Sequence, residues 1–406
     1  MAVTISTGRR QYDTRSDRID PNVMPTIVLR DRNLQQGNFL TFYSRTRTRT
    51  TTTEKIQWDI DTFMPTNDTT SASVTSTATQ IAVSNPTRYI AGQVWTDKQT
   101  GEIFRVESAN AGTGFIGVTR AITALASGGG TAAASMSSGD TLVRLMPVVS
   151  EDNRRQTTQT TVPDEIFNYS QQFRYDMELS ARQIKRAFLS GDSEWTYQLD
   201  KMMLQARKDL NGGFLANERG RYNDSSGGDT TITRGMMNVP TTNVLAVNGT
   251  LYQQAFDAWL MDNGLRYGSR NKVLMASPHV IGAFTEMYDQ LAFYEVNMGD
   301  KTSTMGIRVL SYSSPNGGEI MIVEDRFLSD NYQGNAVLVD FAVVERCLFS
   351  NHGISGELQL IGDTQDVDDM GRAVTLIGDM GLVWGDEVVH GKITGVTGGA
   401  KGRSVQ

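Results

Sequence analysis

The sequence is short of the residues that most chemistry needs. It has one cysteine, Cys347, which excludes an intramolecular disulfide framework and any cysteine-based zinc cluster. It has three histidines, His279, His352 and His390, far apart and without an HExxH or HxH neighbour. No Walker motif, nucleophile elbow or dinucleotide-binding fingerprint is present. No run of about 18 apolar residues exists, so no transmembrane helix is expected. The first residues lack the apolar stretch and cleavage site of a secretory signal. Proline is scarce, 9 against 39 glycines, which points to many turns and close contacts and away from a proline-rich linker protein. A basic excess is also missing: Lys+Arg total 38 against Asp+Glu 45, a net charge of −7. That argues against a strongly basic nucleic-acid binder.

What is present is an uneven division of charge over 406 residues. Residues 1–50 hold nine arginines (9, 10, 15, 18, 30, 32, 45, 47 and 49), four aspartates (13, 17, 20 and 31) and no lysine. The arm is therefore +5 and the remainder −12, from −7 minus +5. A cationic arm on an anionic body suggests docking on the protein itself or on another copy. The guanidinium fork suits fixed carboxylates, which favours docking over a loosely ordered terminus. Within the arm, Arg45, Arg47 and Arg49 alternate with Thr46, Thr48 and Thr50, so a strand would place the arginines on one face. Ile56, Trp58 and Ile60 continue the alternation. The stretch reads as an extended strand or hairpin arm with too few apolar residues for its own core.

Residues 79–147 read as a small all-β module. Thr79–Ser84, Tyr89–Trp95, Glu102–Glu107, Gly114–Arg120 and Asp140–Leu145 are strand candidates between turn signals. Ala121–Ser138, with three successive glycines, reads as a mobile loop and not as a phosphate loop. Residues 148–175 return to an extended composition, with Arg154 and Arg155, and mirror the first arm. Tyr175–Leu189 is expected to be a helix, followed by a longer one capped at Asp192 or Ser193 and running to about Asn217. Its stripe is Trp195, Leu199, Met202, Met203, Ala206, Leu210 and Phe214. Residues 218–250 read as turn-rich. An α/β region follows, with helices at Leu251–Leu265 and His279–Tyr288 and strands at Lys272–Ala276, Gly306–Tyr312, Glu319–Glu324 and Ala336–Phe341. The tail returns to β, and Gly398–Gln406 reads as a free end.

No coherent set of acid, base and nucleophile emerges, so no enzymatic activity, cofactor or metal is expected. Cys347 lies in an apolar strand-like run and reads as a buried structural thiol. His279 follows a proline at a helix start, where a cap-like role is expected. Asp363 to Asp369 lack the spacing of a calcium loop. A solvated loop is the simpler reading, and Asp366, Asp368 and Asp369 could also receive an arginine arm from a neighbour.

The order of these parts resembles the major capsid proteins of tailed bacteriophages, the Hong Kong ninety-seven fold. The local text is similar to a branch carrying a β module in its extended loop. The supporting pieces are Thr79-Gln80-Ile81-Ala82-Val83, Ala91-Gly92-Gln93-Val94, Thr100 to Val106 and Ser138 to Leu142. Glu194 to Gln198, Ala206 to Leu210, Thr233 to Met236 and Ala373 to Leu376 add to them. The resemblance implies an α+β fold divided into a 1–40 N-terminal arm, extended-loop strands at 41–78 and 148–175, and an inserted β domain at 79–147. It further implies a peripheral domain with a spine helix at 176–250 and 345–397, an axial domain at 251–344, and a flexible tail at 398–406. The implied function is self-assembly into hexamers and pentamers of an icosahedral shell around double-stranded DNA. Arg9, Arg10, Arg15, Arg18, Arg45, Arg47, Arg49, Arg154, Arg155, Asp366, Asp368 and Asp369 are expected at intersubunit contacts. Implied partners are other copies, a separate scaffolding protein, a portal protein, an optional decoration protein and packaged DNA touched non-specifically, with no membrane. The implied location is the virion, after assembly in the bacterial cytoplasm. Rival readings are a virion decoration or adhesin protein, which leaves the long helix unexplained, an α/β enzyme with an inserted lid, and an encapsulin-like cargo shell.

Overall fold

Phe173, Tyr175, Met177 and Leu179 alternate with Gln172, Arg174, Asp176 and Glu178, and that two-residue period decides the local structure. In the computed structural model, Gln171–Leu179 is a strand whose charged positions are exposed and whose apolar positions are half-buried. The expected helix over Tyr175–Leu189 is thus corrected: a strand runs to Leu179, and the described helix is Ala181–Lys185. The structure describes residues 38–110, 112–125, 130–146, 161–185, 194–223, 228–287, 309–314, 317–350, 356–362, 364 and 370–400. These divide into two units, one up to Trp58 and from Ile166 onward, the other Asp59–Glu165.

The first unit holds two large sheets. In one, β1 (Arg47–Thr51) pairs in parallel with β18 (Glu345–Phe349). β18 lies antiparallel to β20 (Arg372–Val383), which also pairs with β10 (Gln171–Leu179) and β19 (Gln359–Gly362). The other sheet runs β13 (Val244–Tyr252), β21 (Gly391–Ala400), β17 (Ala336–Val339), β14 (Asn271–Ala276), β16 (Glu319–Glu324) and β15 (Val309–Ser313). It is mixed, with β13/β21 and β14/β16 parallel. β11 (Gly220–Asn223) and β12 (Asp229–Ile232) form a separate hairpin.

Three sequence expectations change here. Val244–Tyr252, within the stretch read as turns, is a sheet strand; the bulge at Asn248-Gly249 had masked its period. It takes the first two residues of the expected 251–265 helix, leaving α5 (Gln253–Trp259) and a π-type turn to Gly264. Gly391–Ala400, expected beside the spine helix and ending in a free tail from Gly398, instead pairs with β13 and β17, and Gly398–Ala400 lie opposite Thr250–Tyr252.

Helices cover these sheets. α1 (Asn38–Tyr43), α3 (Ala181–Lys185), α6 (Pro278–Met287) and α7 (Arg326–Asn331) are short, while α4 (Glu194–Ala216) spans 23 residues, about 35 Å at 1.5 Å per residue. The expected apolar stripe of α4 is only half used. Ala206, Leu210 and Phe214 are buried, whereas no residue from Trp195 to Gln205 is. One core gathers Phe39, Tyr43, Leu210, Phe214, Val273, Val337, Leu382 and Trp384. A second, with Leu251, Phe256, Trp259, Phe284, Ile320 and Ile393, sits under α5 and α6.

The second unit is an antiparallel sheet in the order β3 (Asn67–Thr69), β8 (Thr141–Arg144), β5 (Val94–Asp97), β6 (Ile103–Asn110), β7 (Phe115–Thr119), β4 (Gln80–Ala82), with the short α2 (Ile122–Leu125). Its own core contains Val74, Ile81, Trp95, Phe104, Ile116, Met136 and Leu142. The observed unit is wider than the expected 79–147, because β3 pairs with β8 and Val74 bridges Met136. Tyr89–Trp95 is not one strand: Gly92 takes a positive φ of 91° and only Val94–Asp97 is paired. The chain leaves the first unit along β2 (Lys55–Ile60) and returns along β9 (Asp164–Tyr169), which pair with each other.

Candidate assembly surfaces

Of the twelve expected contact residues, the described structure contains three, Arg45, Arg47 and Arg49. Arg9, Arg10, Arg15, Arg18, Arg154, Arg155, Asp366, Asp368 and Asp369 lie outside the described residues. Arg45 follows α1 in a turn, its N–H donating to Phe42 O at 3.0 Å. Arg47 and Arg49 stand opposite Glu345 and Cys347. All three are exposed. The parallel register fixes β1 on its own subunit, so this stretch is not a free hairpin arm. Beneath it, burial pushes the Cys347 thiol up to about 11, against the pull of Arg49, which keeps the sulfur protonated and inert. On the other face Arg346 Nη2 donates to Thr48 Oγ1 at 3.0 Å and to Glu357 Oε1 at 3.0 Å.

The root of this strand is anchored by aromatic rings that the sequence reading had assigned to an arm without a core. Phe39 and Tyr43 are fully buried and stack with centroids 6.0 Å apart. Tyr43 OH donates to Gly381 O at 2.7 Å, and burial pushes the phenol well above its ordinary range. Asn211 on α4 joins three segments. Its Oδ1 accepts from Leu40 N at 3.3 Å, and its Nδ2 donates to Asp325 Oδ1 at 3.0 Å. Asp325 in turn caps α7 by accepting from Phe327 N at 3.0 Å, and accepts from Phe39 N at 3.4 Å. Burial raises this carboxyl, and its hydrogen bonds oppose the shift. The missed signal was the i, i+4 pair Phe39 and Tyr43, a helical period inside an otherwise extended composition.

Where the chain leaves for the second unit, Trp58 packs edge-on against Trp384 at 4.9 Å, and its Nε1 donates to Gly385 O at 2.8 Å. Phe167 is held between Lys55 Nζ, 4.4 Å from its centroid, and the Arg219 guanidinium at 3.9 Å. Both contacts lie within the first unit and anchor the first-unit ends of β2 and β9. Beside α4 lies a cleft of about 610 Å³ lined by Phe173, Tyr175, Asp209, Gly212, Phe327 and Tyr332 among others. Burial, with Asp209 beside it, raises the Tyr175 phenol to about 12. Gly212 is required here, since an added Cβ would lie 2.5 Å from the Phe327 ring.

Two buried polar clusters serve structure. In the second unit Arg120 Nε donates to Glu102 Oε1 at 2.8 Å, with both side chains buried, and Glu102 also accepts from Ala121 N and Ala134 N. That pair closes the base of the loop read from sequence as 121–138. In the six-stranded sheet of the first unit, Lys272 Nζ donates to Gly264 O at 2.8 Å, Tyr267 O at 2.8 Å and Val389 O at 2.5 Å. Burial pushes its ammonium down to about 8. His390 Nδ1 accepts from Asp340 N at 3.2 Å while Nε2 meets Trp384 O at 2.7 Å, which assigns the Nε2–H tautomer. Burial lowers this imidazole to about 4. The sequence reading found neither cluster, because lone Lys and His residues carry no spacing signal. Among the described residues, no three His, Cys, Asp or Glu side chains are placed to hold a metal ion.

None of the curated proteins matches this sequence. Several solved structures are similar at low identity. The capsid of a native GTA particle has 11% identity and a TM-score of 0.45, covering 96% of this chain and 99% of its own. A structure of Mycobacterium phage Cain has 8% identity and a TM-score of 0.41, covering 87% and 89%. The holo-SrpI encapsulin complex from Synechococcus elongatus PCC 7942 has 11% identity and a TM-score of 0.41, covering 61% and 80%. The family model described as SU10 major capsid protein matches residues 6–397, nearly the whole sequence. The chain therefore belongs to the SU10 major capsid protein family and is a structural, shell-forming protein of a tailed-phage virion.

Proposed function

We propose that this subunit builds an icosahedral shell of hexamers and pentamers around a double-stranded DNA genome, with the Hong Kong ninety-seven division of labour. The observation that carries this reading is the family match across residues 6–397. On this reading α4 is the spine helix of a peripheral domain, and the sheet from β13 to β21 belongs to the axial domain. β2 and β9 are the strands of the extended loop, and the β unit between them is an insertion. The N-terminal arm and the loop clasp neighbours. A separate scaffolding protein and a portal act during assembly in the host cytoplasm, and a decoration protein is a candidate partner of the β unit. The acidic body faces packaged DNA without gripping it, since net repulsion keeps the genome mobile.

Arg45, Arg47 and Arg49 are the described residues best suited to an intersubunit contact. All three are exposed: Arg47 and Arg49 share one face of a strand whose backbone is already held by β18, and Arg45 lies in the turn just before it. A guanidinium row on a fixed strand loses little entropy on meeting carboxylates. The test is the triple variant Arg45→Glu, Arg47→Glu, Arg49→Glu beside the unaltered chain. The unaltered chain, co-expressed with its scaffolding protein, should give shells by negative-stain microscopy. The variant should keep its circular dichroism and melting profile yet remain unassembled. Normal shells from the folded variant contradict the assignment of these arginines.

A further inference from the structure

α4 carries two successive glycines, Gly212 and Gly213, and glycine is unfavourable inside a helix. Neither takes a positive φ, so the backbone conformation does not call for them. Gly212 is called for by the Phe327 ring, which occupies the place of its missing side chain. Gly213 has no such occupant. An added Cβ there would first meet the Asn217 amide at 3.2 Å, the movable end of a side chain. Gly213 instead lines the cleft of about 610 Å³ beside α4. β10 contributes Phe173 and Tyr175 to the lining, two residues apart on one face, and Phe327 and Tyr332 come from the two ends of α7. Each ring is fixed by its own neighbours. Phe173 covers Gly378 on the adjacent strand, Tyr175 OH donates to Asp209 Oδ2 at 3.3 Å, and the Phe327 and Tyr332 centroids are 5.7 Å apart. The cleft is thus preformed, with aromatic sides and a floor that lets a ligand approach the helix backbone.

Charge narrows the choice of occupant. Two ionised side chains line the cleft, Lys208 and Asp209. Asp209 is engaged through both oxygens, Oδ1 accepting from Gln205 Nε2 at 2.7 Å and Oδ2 from Tyr175 OH. The cation at the start of α7, Arg326, is held by Asp330 at 3.1 Å. Lys208 makes no salt bridge among the described residues, so the charge left to be met is positive. We propose that the cleft binds a small apolar anion, an aromatic or branched aliphatic carboxylate. Its body lies among the rings on the Gly213 floor, and its charge is met by Lys208. The rings supply apolar contact area, and the cation offsets the desolvation of the carboxylate. A free small molecule is the fitting source. The whole lining comes from the first unit of one chain, and clefts of about 300–1,000 Å³ are the size that encloses such ligands. This activity goes beyond shell building and does not rest on it.

The full-length, unassembled subunit is titrated with two fluorescent probes: anilinonaphthalene sulfonate, an apolar anion, and phenylnaphthylamine, the same rings without the sulfonate. Fluorescence should saturate at one site per chain, with the sulfonate binding more tightly. Lys208→Glu should weaken the sulfonate by about five- to tenfold and leave the neutral probe unchanged. Gly213→Leu fills the floor and should weaken both probes by at least about tenfold while the melting profile shows a folded chain. If that variant does not fold, Tyr332→Ala, at an exposed position, should weaken both in its place. Indoleacetate should displace the sulfonate, and neutral indoleacetamide should not. Equal affinity for the two probes, or sulfonate binding untouched by Lys208→Glu, overturns the anion assignment. Binding unchanged in folded Gly213→Leu or Tyr332→Ala overturns the cleft as the site. Binding lost when subunits enter shells gives the cleft to a neighbouring copy and overturns the free-ligand assignment. Binding to subunits is read whether or not shells form, so failure here leaves the capsid reading in place.

Discussion

At the scale of single residues, the protein spends its buried charges on holding loops to sheets. Lys272 is the clearest case. Its ammonium is the shared donor for three carbonyls, two in the Gly264–Tyr267 turn and one at Val389, and its desolvation is offset only because all three are met. Lys272→Met removes the charge at similar volume but orphans those carbonyls. We expect a loss of about 3 kcal/mol or more in urea unfolding of the unassembled subunit. His390 adds a pH dependence whose sign is fixed. Its folded pKa lies near 4, below the ordinary 6.5, so the unfolded chain binds the proton first as pH falls. The stability that the neutral ring provides is complete above about 6.5 and is lost progressively down to about 4, on the order of 3 kcal/mol in total. Unfolding midpoints measured from pH 7 to pH 4 should fall, and His390→Gln should flatten that fall. A midpoint independent of pH over that range, in the unaltered chain, contradicts the burial argument. None of this was legible in the sequence. A buried lysine and a surface lysine read alike until the carbonyls around them are placed.

At the scale of elements, the join between α1, α4 and α7 decides how the arginine strand is presented. Asn211 and Gly212 are neighbours on α4 with different duties, one bridging Leu40 to Asp325 and the other admitting the Phe327 ring. Gly212→Ala forces that ring or the helix to move, at a cost of about 1–3 kcal/mol. Asn211→Leu leaves the Asp325 carboxylate short of a donor and Leu40 N without its acceptor, and should cost about as much. Thermal unfolding of the two variants should therefore show similar losses, and an unchanged melting point for Asn211→Leu argues against the bridge. Sequence reading did well where one period ran unopposed. The 194–216 helix and the Ile56, Trp58, Ile60 face were legible for that reason. It failed where two periods overlapped, as at Tyr175–Leu179, where Met177, Ala181 and Ile184 suggested a helix while Phe173, Tyr175, Met177 and Leu179 spelled a strand. It also failed at β13, where the Asn248-Gly249 bulge breaks the alternation midway. The arginine row was legible because alternation with threonine needs no tertiary partner. Its parallel pairing with β18, nearly 300 residues away, was not, since no local signal encodes a distant partner.

At the scale of the whole molecule, the open features share one explanation. The first half of α4 carries Trp195, Leu199 and Met202 without full burial, Arg45, Arg47 and Arg49 are exposed, and β19 carries the partly exposed apolar Leu360 and Ile361. A solitary protein gains nothing from such surfaces, and they are aggregation liabilities. On the proposed reading other copies complete such surfaces, each contact small and the sum made strong by multivalency. On the same reading the charge division of +5 in residues 1–50 against −12 elsewhere would supply the attraction between copies, and salt should weaken it. Assembly followed by light scattering should accordingly slow as ionic strength rises from about 0.05 to 0.5 M, where screening shortens to a few ångströms. The most direct test of the account is electron microscopy of the full-length chain, expressed with the scaffolding protein proposed above. Closed shells with hexameric and pentameric capsomers are the predicted result. A well-folded protein that stays a discrete monomer under those conditions contradicts it.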